Sequence, residues 1–303
     1  MNTILVTGAA GLIGRAVAAQ LRARGDRVVG IDRMASGSDE TVVMECDLRD
    51  SHRLHAIAAA TTLDAIIHCG AHSGPMVARD NPYDLVQVNV VGTANVLEVA
   101  RIHRLRRLVN CSSVSTYGDT GPGPVIEDVP QQPSTVYGAT KLAAEKITTA
   151  YAVEHGLDTV SLRLSWVYGP NRTTFCILRQ MVADALAGRP TRTTSGADAL
   201  RQYIHAEDAA TALVCALDAS NLTQRAYNVT GDDCRTMTEA ANVVRQILPE
   251  ADIVLGPGPD LGDDQQQRFD ISAARRDLRY TPAISLEQGI RDMAETLRAG
   301  RAG

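Results

Sequence analysis

The chain has 303 residues, with 30 lysines and arginines against 35 aspartates and glutamates, a formal charge of -5. That length suits one large domain or two ordinary ones, and the mildly acidic balance gives no electrostatic reason to bind nucleic acid or an anionic membrane. With 45% hydrophobic, 21% charged and 4% aromatic residues, the composition is that of a globular protein with an aliphatic core.

The six cysteines are scattered and no CxxC pair occurs, so neither a metal site nor a disulfide framework is expected. The opening MNTILVTGAAG has no basic flank ahead of a long apolar stretch, and no apolar run is long enough for a membrane span. A reducing, cytoplasmic setting is the expectation.

In chain order, Thr3–Thr7 reads as a buried parallel strand. It runs into Gly8-Ala9-Ala10-Gly11-Leu12-Ile13-Gly14, and an amphipathic segment follows to Arg24. The GxxGxxG spacing permits a tight turn whose backbone N–H groups approach a diphosphate at a helix N-terminus. Gly8, Gly11, Leu12, Ile13 and Gly14 are therefore cofactor-binding candidates. A second strand, Arg27–Ile31, ends in Asp32, placed to accept both ribose hydroxyls and to repel a 2'-phosphate. That favours NAD over NADP, although the adjacent Arg33, also at the ribose, is a cation able to tolerate the extra phosphate.

A third strand, Thr41–Cys46, leads to Asp47, suited to the adenine amine, and Leu48, suited to the ring face. The fourth, Ala65–His68, leads to Cys69, Gly70 and Ala71, small enough to let the cofactor lie against the chain. His68 itself reads as a hydrogen-bonded structural histidine. Pro82–His103 reads as one helix, and a strand at Arg107–Cys111 runs into Ser112-Ser113-Val114-Ser115-Thr116-Tyr117-Gly118. A second helix then carries Tyr137 and Lys141, which share a face at i,i+4. Further strands are expected at Tyr203–Ile204 and Ala226–Val229, and helices at Glu207–Ala219, Thr238–Ile247 and Leu286–Leu297.

The pattern is α/β: a doubly wound parallel Rossmann sheet, residues 1–164 plus 200–230, with a smaller interleaved substrate portion, residues 165–199 plus 231–303. Hydride transfer at a secondary alcohol needs a base for the hydroxyl proton. A phenol is a poor base at its free pKa near ~10, but a lysine ammonium and a positively charged nicotinamide both favour the phenolate. Tyr137 is thus the candidate base, Lys141 its electrostatic support and a ribose contact, and Ser113 a hydrogen-bonding group for the same substrate oxygen.

The chain resembles the extended short-chain dehydrogenases/reductases, the family of sugar-nucleotide epimerases, dehydratases and related dehydrogenases. The matching pieces are GAAGLIG at Gly8–Gly14, Asp32, DL at Asp47–Leu48, HCGA at His68–Ala71, NP at Asn81–Pro82 and NVVGT at Asn89–Thr93. They continue with SSVSTYG at Ser112–Gly118, YGATK at Tyr137–Lys141, RLSWVYGP at Arg163–Pro170, RQYIHAED at Arg201–Asp208 and YNV at Tyr227–Val229. The resemblance implies a catalytic set of Ser113, Tyr137 and Lys141, a cofactor contact at Asn89, and a homodimer through helices 82–103 and 135–155. It also implies a diphosphate contact at Arg201, and it sets Trp166 where family epimerases usually have Asn.

Family 4,6-dehydratases carry an Asp-Glu pair directly after the residue matching Ser113; here Val114 and Ser115 stand there, so dehydration is not expected. An added acid/base pair from Cys176 and His205 is disfavoured, because His205 reads as structural. Arg201 speaks for a nucleotide-sugar 4-epimerase with tightly held NAD. Trp166 and the acidic Asp260–Asp264 run, read as a surface loop that would repel an anionic nucleotide if it lay over the pocket, speak for a dehydrogenase. The reading placed first is an NAD-dependent oxidoreductase acting on a small sugar, sugar acid or polyol. Ser73, Ser113, Trp166 and Arg201 are its substrate candidates. The epimerase stands second and a non-catalytic NAD-binding sensor or scaffold third.

Overall fold

The computed structural model describes residues 1–34, 36–38 and 41–299, so the last residues of the expected substrate portion, 300–303, lie outside it. The first half alternates strands and helices: β1 (Thr3–Thr7), α1 (Leu12–Ala23), β2 (Arg27–Asp32), β3 (Ser36–Ser38), β4 (Thr41–Glu45), α2 (Ser51–Ala60) and β5 (Ala65–His68). Next come α3 (Pro82–Val86), α4 (Gly92–Ile102), β6 (Arg107–Ser113), α5 (Val136–His155), β7 (Thr159–Leu164) and β8 (Trp166–Tyr168). The remainder comprises α6 (Ile177–Leu186), β9 (Thr191–Gly196), β10 (Leu200–Arg201), β11 (Tyr203–His205), α7 (Ala206–Asp218), β12 (Ala226–Val229), β13 (Arg235–Thr236), α8 (Met237–Ile247), β14 (Ile253–Gly256) and α9 (Leu286–Ala299).

Seven strands pair in parallel in the order β12-β7-β6-β5-β1-β2-β4, and β3 adds antiparallel to the β4 edge. Every residue of β5, β6 and β7 is buried, as expected of strands covered by helices on both faces. From β1 the chain builds outward through β2 and β4, then returns to β5 on the other side of β1. The crevice at the carboxyl ends of β1, β2 and β5 is the topological switch point, where ligands bind in such sheets.

Val17 and Leu21 of α1 and Leu213 and Ala216 of α7 fill the core on one face of the sheet. Leu54 of α2 and Val96 and Leu97 of α4 fill the other. A separate core joins α6, α8 and α9 through Leu178, Met181, Val244, Ile290 and Met293, with Tyr168 and Tyr203 beside them. Ile271, Ala274, Leu278 and Tyr280, from the stretch grouped by sequence with the substrate portion, pack instead into the sheet core.

The segment expected as one helix over 82–103 is α3 and α4 joined through a π-turn at Gln87–Val91. Such a turn inserts one residue into the helical ladder and re-aims the side chains around it. No helix among the described residues is long and apolar enough to cross a membrane.

Candidate active site

β1 delivers the chain to Gly8, whose φ of 65° is left-handed and whose missing side chain admits Gly70: a Cβ there would lie 2.8 Å from the Gly70 Cα. α1 then starts after Gly11 with no side-chain cap and no acidic residue in its first turn. Its first backbone N–H groups therefore face the crevice unclaimed by a capping side chain, the arrangement that suits a diphosphate. Together with the carboxylate of Asp32 beyond the turn, this donor and acceptor set fits a dinucleotide.

The crevice holds a cavity of about 650 Å³, and every residue assigned to the cofactor from sequence lines it except Asn89. One oxygen of Asp32 accepts from the Ala10 N–H at 3.1 Å, so the ribose candidate is fixed by the glycine turn itself. Asp47 is gripped by Arg49 at 2.9 and 2.6 Å, which holds its carboxyl below the usual range. Arg49 continues to Asp84 at 2.7 Å, and Asp84 meets His72 Nε2 at 2.7 Å. The carboxylate expected to receive the adenine amine is thus already shared with an arginine.

Asn89 sits in the π-turn, 2% exposed, behind the cavity wall. Its Oδ1 accepts from the His72 N–H at 2.8 Å, and its Nδ2 donates to the His72 carbonyl at 3.1 Å and to Thr140 Oγ1 at 3.0 Å. It fixes the loop after β5 against α5. His68 is structural, as read from sequence. The Thr93 hydroxyl donates to the Asn89 carbonyl at 2.6 Å, so it accepts from His68 Nε2 at 3.0 Å. His68 Nδ1 then accepts from the Thr7 hydroxyl at 2.7 Å. Burial, with Lys141 nearby, pushes this imidazole down to about 3.

The candidate catalytic groups come from the ends of β6 and α5. Ser113 closes β6 and caps the short turn Val114–Thr116, its Oγ accepting from the Ser115 N–H at 3.1 Å. α5 begins beyond Thr135, whose Oγ1 accepts from the Gly138 N–H at 3.0 Å. A Cβ at Gly138 would lie 2.4 Å from the Ser115 carbonyl oxygen; its absence lets the first turn of α5 press onto the Ser113 turn. Lys141, one helical turn beyond Tyr137, donates from Nζ to the Cys111 carbonyl at 2.7 Å. Ser113, Tyr137 and Lys141 all line the cofactor cavity and all are buried.

Behind them lies a buried ion pair, Arg163–Glu145 at 2.7 Å, with Ser112 donating to Glu145 at 2.8 Å. Burial acts to raise the Glu145 carboxyl, but the hydrogen bonds and charge of Arg163 outweigh it and hold the group below its ordinary value. This pair ties β7 to α5, and Ser112 ties in the residue next to Ser113.

A second cavity of about 760 Å³ shares Tyr137, Trp166, Arg172 and Asp263, among others, with the first. Of the substrate candidates, Trp166 lines both cavities, Arg201 lines the second, and Ser73 and Ser113 line the cofactor side. The acidic run after residue 259 is not a distant surface loop: Asp260, Gly262 and Asp263 line the second cavity. Arg201, 3% exposed in its side chain, is bound by Asp260 at 2.8 Å and Asp263 at 3.3 Å. Its guanidinium lies 4.6 Å from the Trp166 ring centre, and Trp166 Nε1 donates to Asp263 at 2.9 Å. The same segment is anchored to the Ser113 turn, because Gln266 Nε2 donates to the carbonyls of Val114 and Gly118 at 2.9 and 3.0 Å.

Cys176 lines the second cavity, whereas His205 caps α7 through Nδ1 and is not among the lining residues, so these two form no acid/base pair there. Phe175, 59% exposed at the cavity wall, was not singled out from sequence; as one of only two phenylalanines in the chain it was the available signal.

A sequence profile of the NAD dependent epimerase/dehydratase family matches residues 4–230. The UDP-glucose 4-epimerase of Mycolicibacterium smegmatis is 31% identical over 309 residues, 97% of this chain and 98% of the relative. Among solved structures, UDP-glucose 4-epimerase from Thermus thermophilus in complex with NAD superimposes with a TM-score of 0.87 at 26% identity, covering 98% of this chain and 99% of that one. The Thermotoga maritima UDP-glucose 4-epimerase with UDP-glucose gives a TM-score of 0.90 at 23% identity, covering 99% of both chains, which shows the shared fold. The glycine turn, the Ser113, Tyr137 and Lys141 set and the extent of these matches agree: the chain belongs to the NAD-dependent epimerase/dehydratase family.

Proposed function

We propose that the protein is an NAD-dependent 4-epimerase of a nucleotide-linked sugar. The observation that carries this reading is that Tyr137 stands in the wall of both cavities, so one base addresses a cofactor on one side and a sugar on the other. The M. smegmatis relative, aligned over nearly its whole length, is a UDP-glucose 4-epimerase and supports the same choice over the dehydrogenase placed first from sequence. The second cavity is lined by Arg79, Arg172, Arg192 and Arg201, guanidinium donors of the kind a diphosphate uses, although Arg192 and Arg201 are already paired with carboxylates.

In this reading the turn from Gly8 to Gly14 holds the cofactor diphosphate, Asp32 the adenosine ribose and Lys141 the nicotinamide ribose. NAD bound there supplies a reversible hydride acceptor. Tyr137 takes the proton of the sugar hydroxyl and later returns it, while Ser113 donates a hydrogen bond to the same oxygen as charge develops. The ammonium of Lys141 is fixed by the Cys111 carbonyl, one helical turn from the base. Val114 and Ser115 lack the acid and base needed to eliminate water.

The test is to incubate purified protein with UDP-glucose or UDP-galactose and follow sugar inversion and cofactor reduction together. Inversion without net accumulation of reduced cofactor is expected. Stoichiometric reduction with free sugars, sugar acids or polyols, and no inversion, would overturn the epimerase in favour of the dehydrogenase. One observation favours that second reading: Arg201, the arginine matched to diphosphate binding, is already engaged by two carboxylates.

Two further proposals accompany this reading. Tyr83, Val86 and Ile102 on α3–α4 and Val136 and Val153 on α5 are exposed apolar side chains that a homodimer would cover. Six free thiols suit a reducing compartment, the cytoplasm.

A further inference from the structure

The deepest guanidinium in the second cavity is that of Arg201, and its surroundings are unusual for an anion-binding group. Its Nη1 donates to the Leu200 carbonyl at 2.9 Å, its Nη2 reaches both Asp260 and Asp263, and the Trp166 indole covers one face. One cation with two carboxylates leaves that wall with a formal charge of -1. The two acids are not equivalent. Asp263 also receives the Trp166 N–H, so it is committed to the wall. Asp260 is 37% exposed in its side chain, and its other oxygen accepts only a local N–H, that of Gly262 at 3.0 Å.

The other cations of the cavity are placed differently from Arg201. Arg192 is paired with Asp252 at 2.6 Å, Arg172 donates from both Nη atoms to the carbonyls of Val167 and Phe175 and keeps only Nε without a partner, and Arg79 is exposed. A doubly charged group entering the cavity therefore competes with Asp260 for the same Nη2 donors and meets a like charge beside them.

We propose that Asp260 is a specificity-determining residue: its carboxylate occupies the Arg201 fork that a diphosphate would take, so the cavity holds nucleoside diphosphates loosely and favours a less charged group at that end. This inference rests on the nucleotide-sugar reading above. It deepens that reading by assigning to Asp260 the strength of the handle on the substrate.

Trp166 is the only tryptophan in the chain and touches the cluster directly, so its fluorescence reports occupancy of this subsite. UDP, UMP and uridine are titrated into the wild-type protein and into Asp260→Asn, both with saturating NAD. Asp260→Asn is expected to bind UDP about tenfold tighter than wild type, UMP by a smaller factor and uridine unchanged. Asp260→Glu, which restores the charge, should return UDP affinity towards wild type. If wild type binds UDP and Asp260→Asn binds it no more tightly, the inference fails while the nucleotide reading stands. An equal gain for uridine also overturns it, since the effect would then be one of shape rather than charge. If neither protein binds UDP, both the inference and the nucleotide reading fall.

Discussion

The two cavities that meet at Tyr137 are built differently. The cofactor side presents backbone donors at the start of α1, the Asp32 carboxylate at the glycine turn and small residues after β5. The proposed substrate side presents long charged side chains, several of them paired with carboxylates. Backbone donors set by a tight turn recognise what all members of a family share, and they cannot be altered one at a time. Paired side chains can, which makes the second cavity the place where a substrate preference is written.

Tyr137→Phe gives the largest expected effect on this comparison, since it removes the proposed base, which stands in the wall of both cavities. Turnover should fall by about a hundredfold to ten-thousandfold while NAD affinity stays near wild type, measured by initial rates beside a binding titration. Unchanged turnover would remove Tyr137 as the base.

Next in size is the contrast between two arginines. Arg163→Met strands Glu145 as an unpaired buried charge and should cost about 3–5 kcal/mol in urea unfolding. Arg201→Met should cost less than half as much, because Asp260 and Asp263 keep access to water. Equal losses would mean that the substrate side is as much a part of the scaffold as the sheet.

Asp32→Ala should weaken NAD by about tenfold to a hundredfold, the loss of charge-assisted hydrogen bonds, and NADP by less. An equal loss for both cofactors would undo the assignment of Asp32 to the ribose.

A separate effect lies in the pH dependence of stability. His68 is held neutral in the fold, its pKa lowered from 6.5 to about 3, so between those values the unfolded chain binds a proton that the folded chain refuses. Stability should therefore fall as pH drops from 6.5 towards 3, and less steeply in His68→Gln. A slope identical in the variant would show that His68 contributes nothing to acid sensitivity.

Much of the cofactor side was legible in the sequence because it is local. The strand, glycine turn and helix from Thr3 to Ala23 are consecutive, and Tyr137 and Lys141 lie one helical turn apart. Asn89 was assigned to the cofactor because a motif match says nothing about the direction in which a side chain points. The π-turn that encloses it has no periodicity signal to separate it from the helix on either side. The substrate side depends on contacts between distant positions, Arg201 with Asp260 and Trp166 with Asp263. No spacing rule joins such pairs, so an acidic run that reads as solvated surface became a cavity wall.

The anchoring of Gln266 to the carbonyls of Val114 and Gly118 makes the three steps of chain from Asp263 to Gln266 a ruler between the wall of the second cavity and the turn that carries Ser113. A length change within the ruler would break that link. An insertion there would let the wall drift while the chemical groups stayed in place, uncoupling recognition from reaction without touching a residue of either.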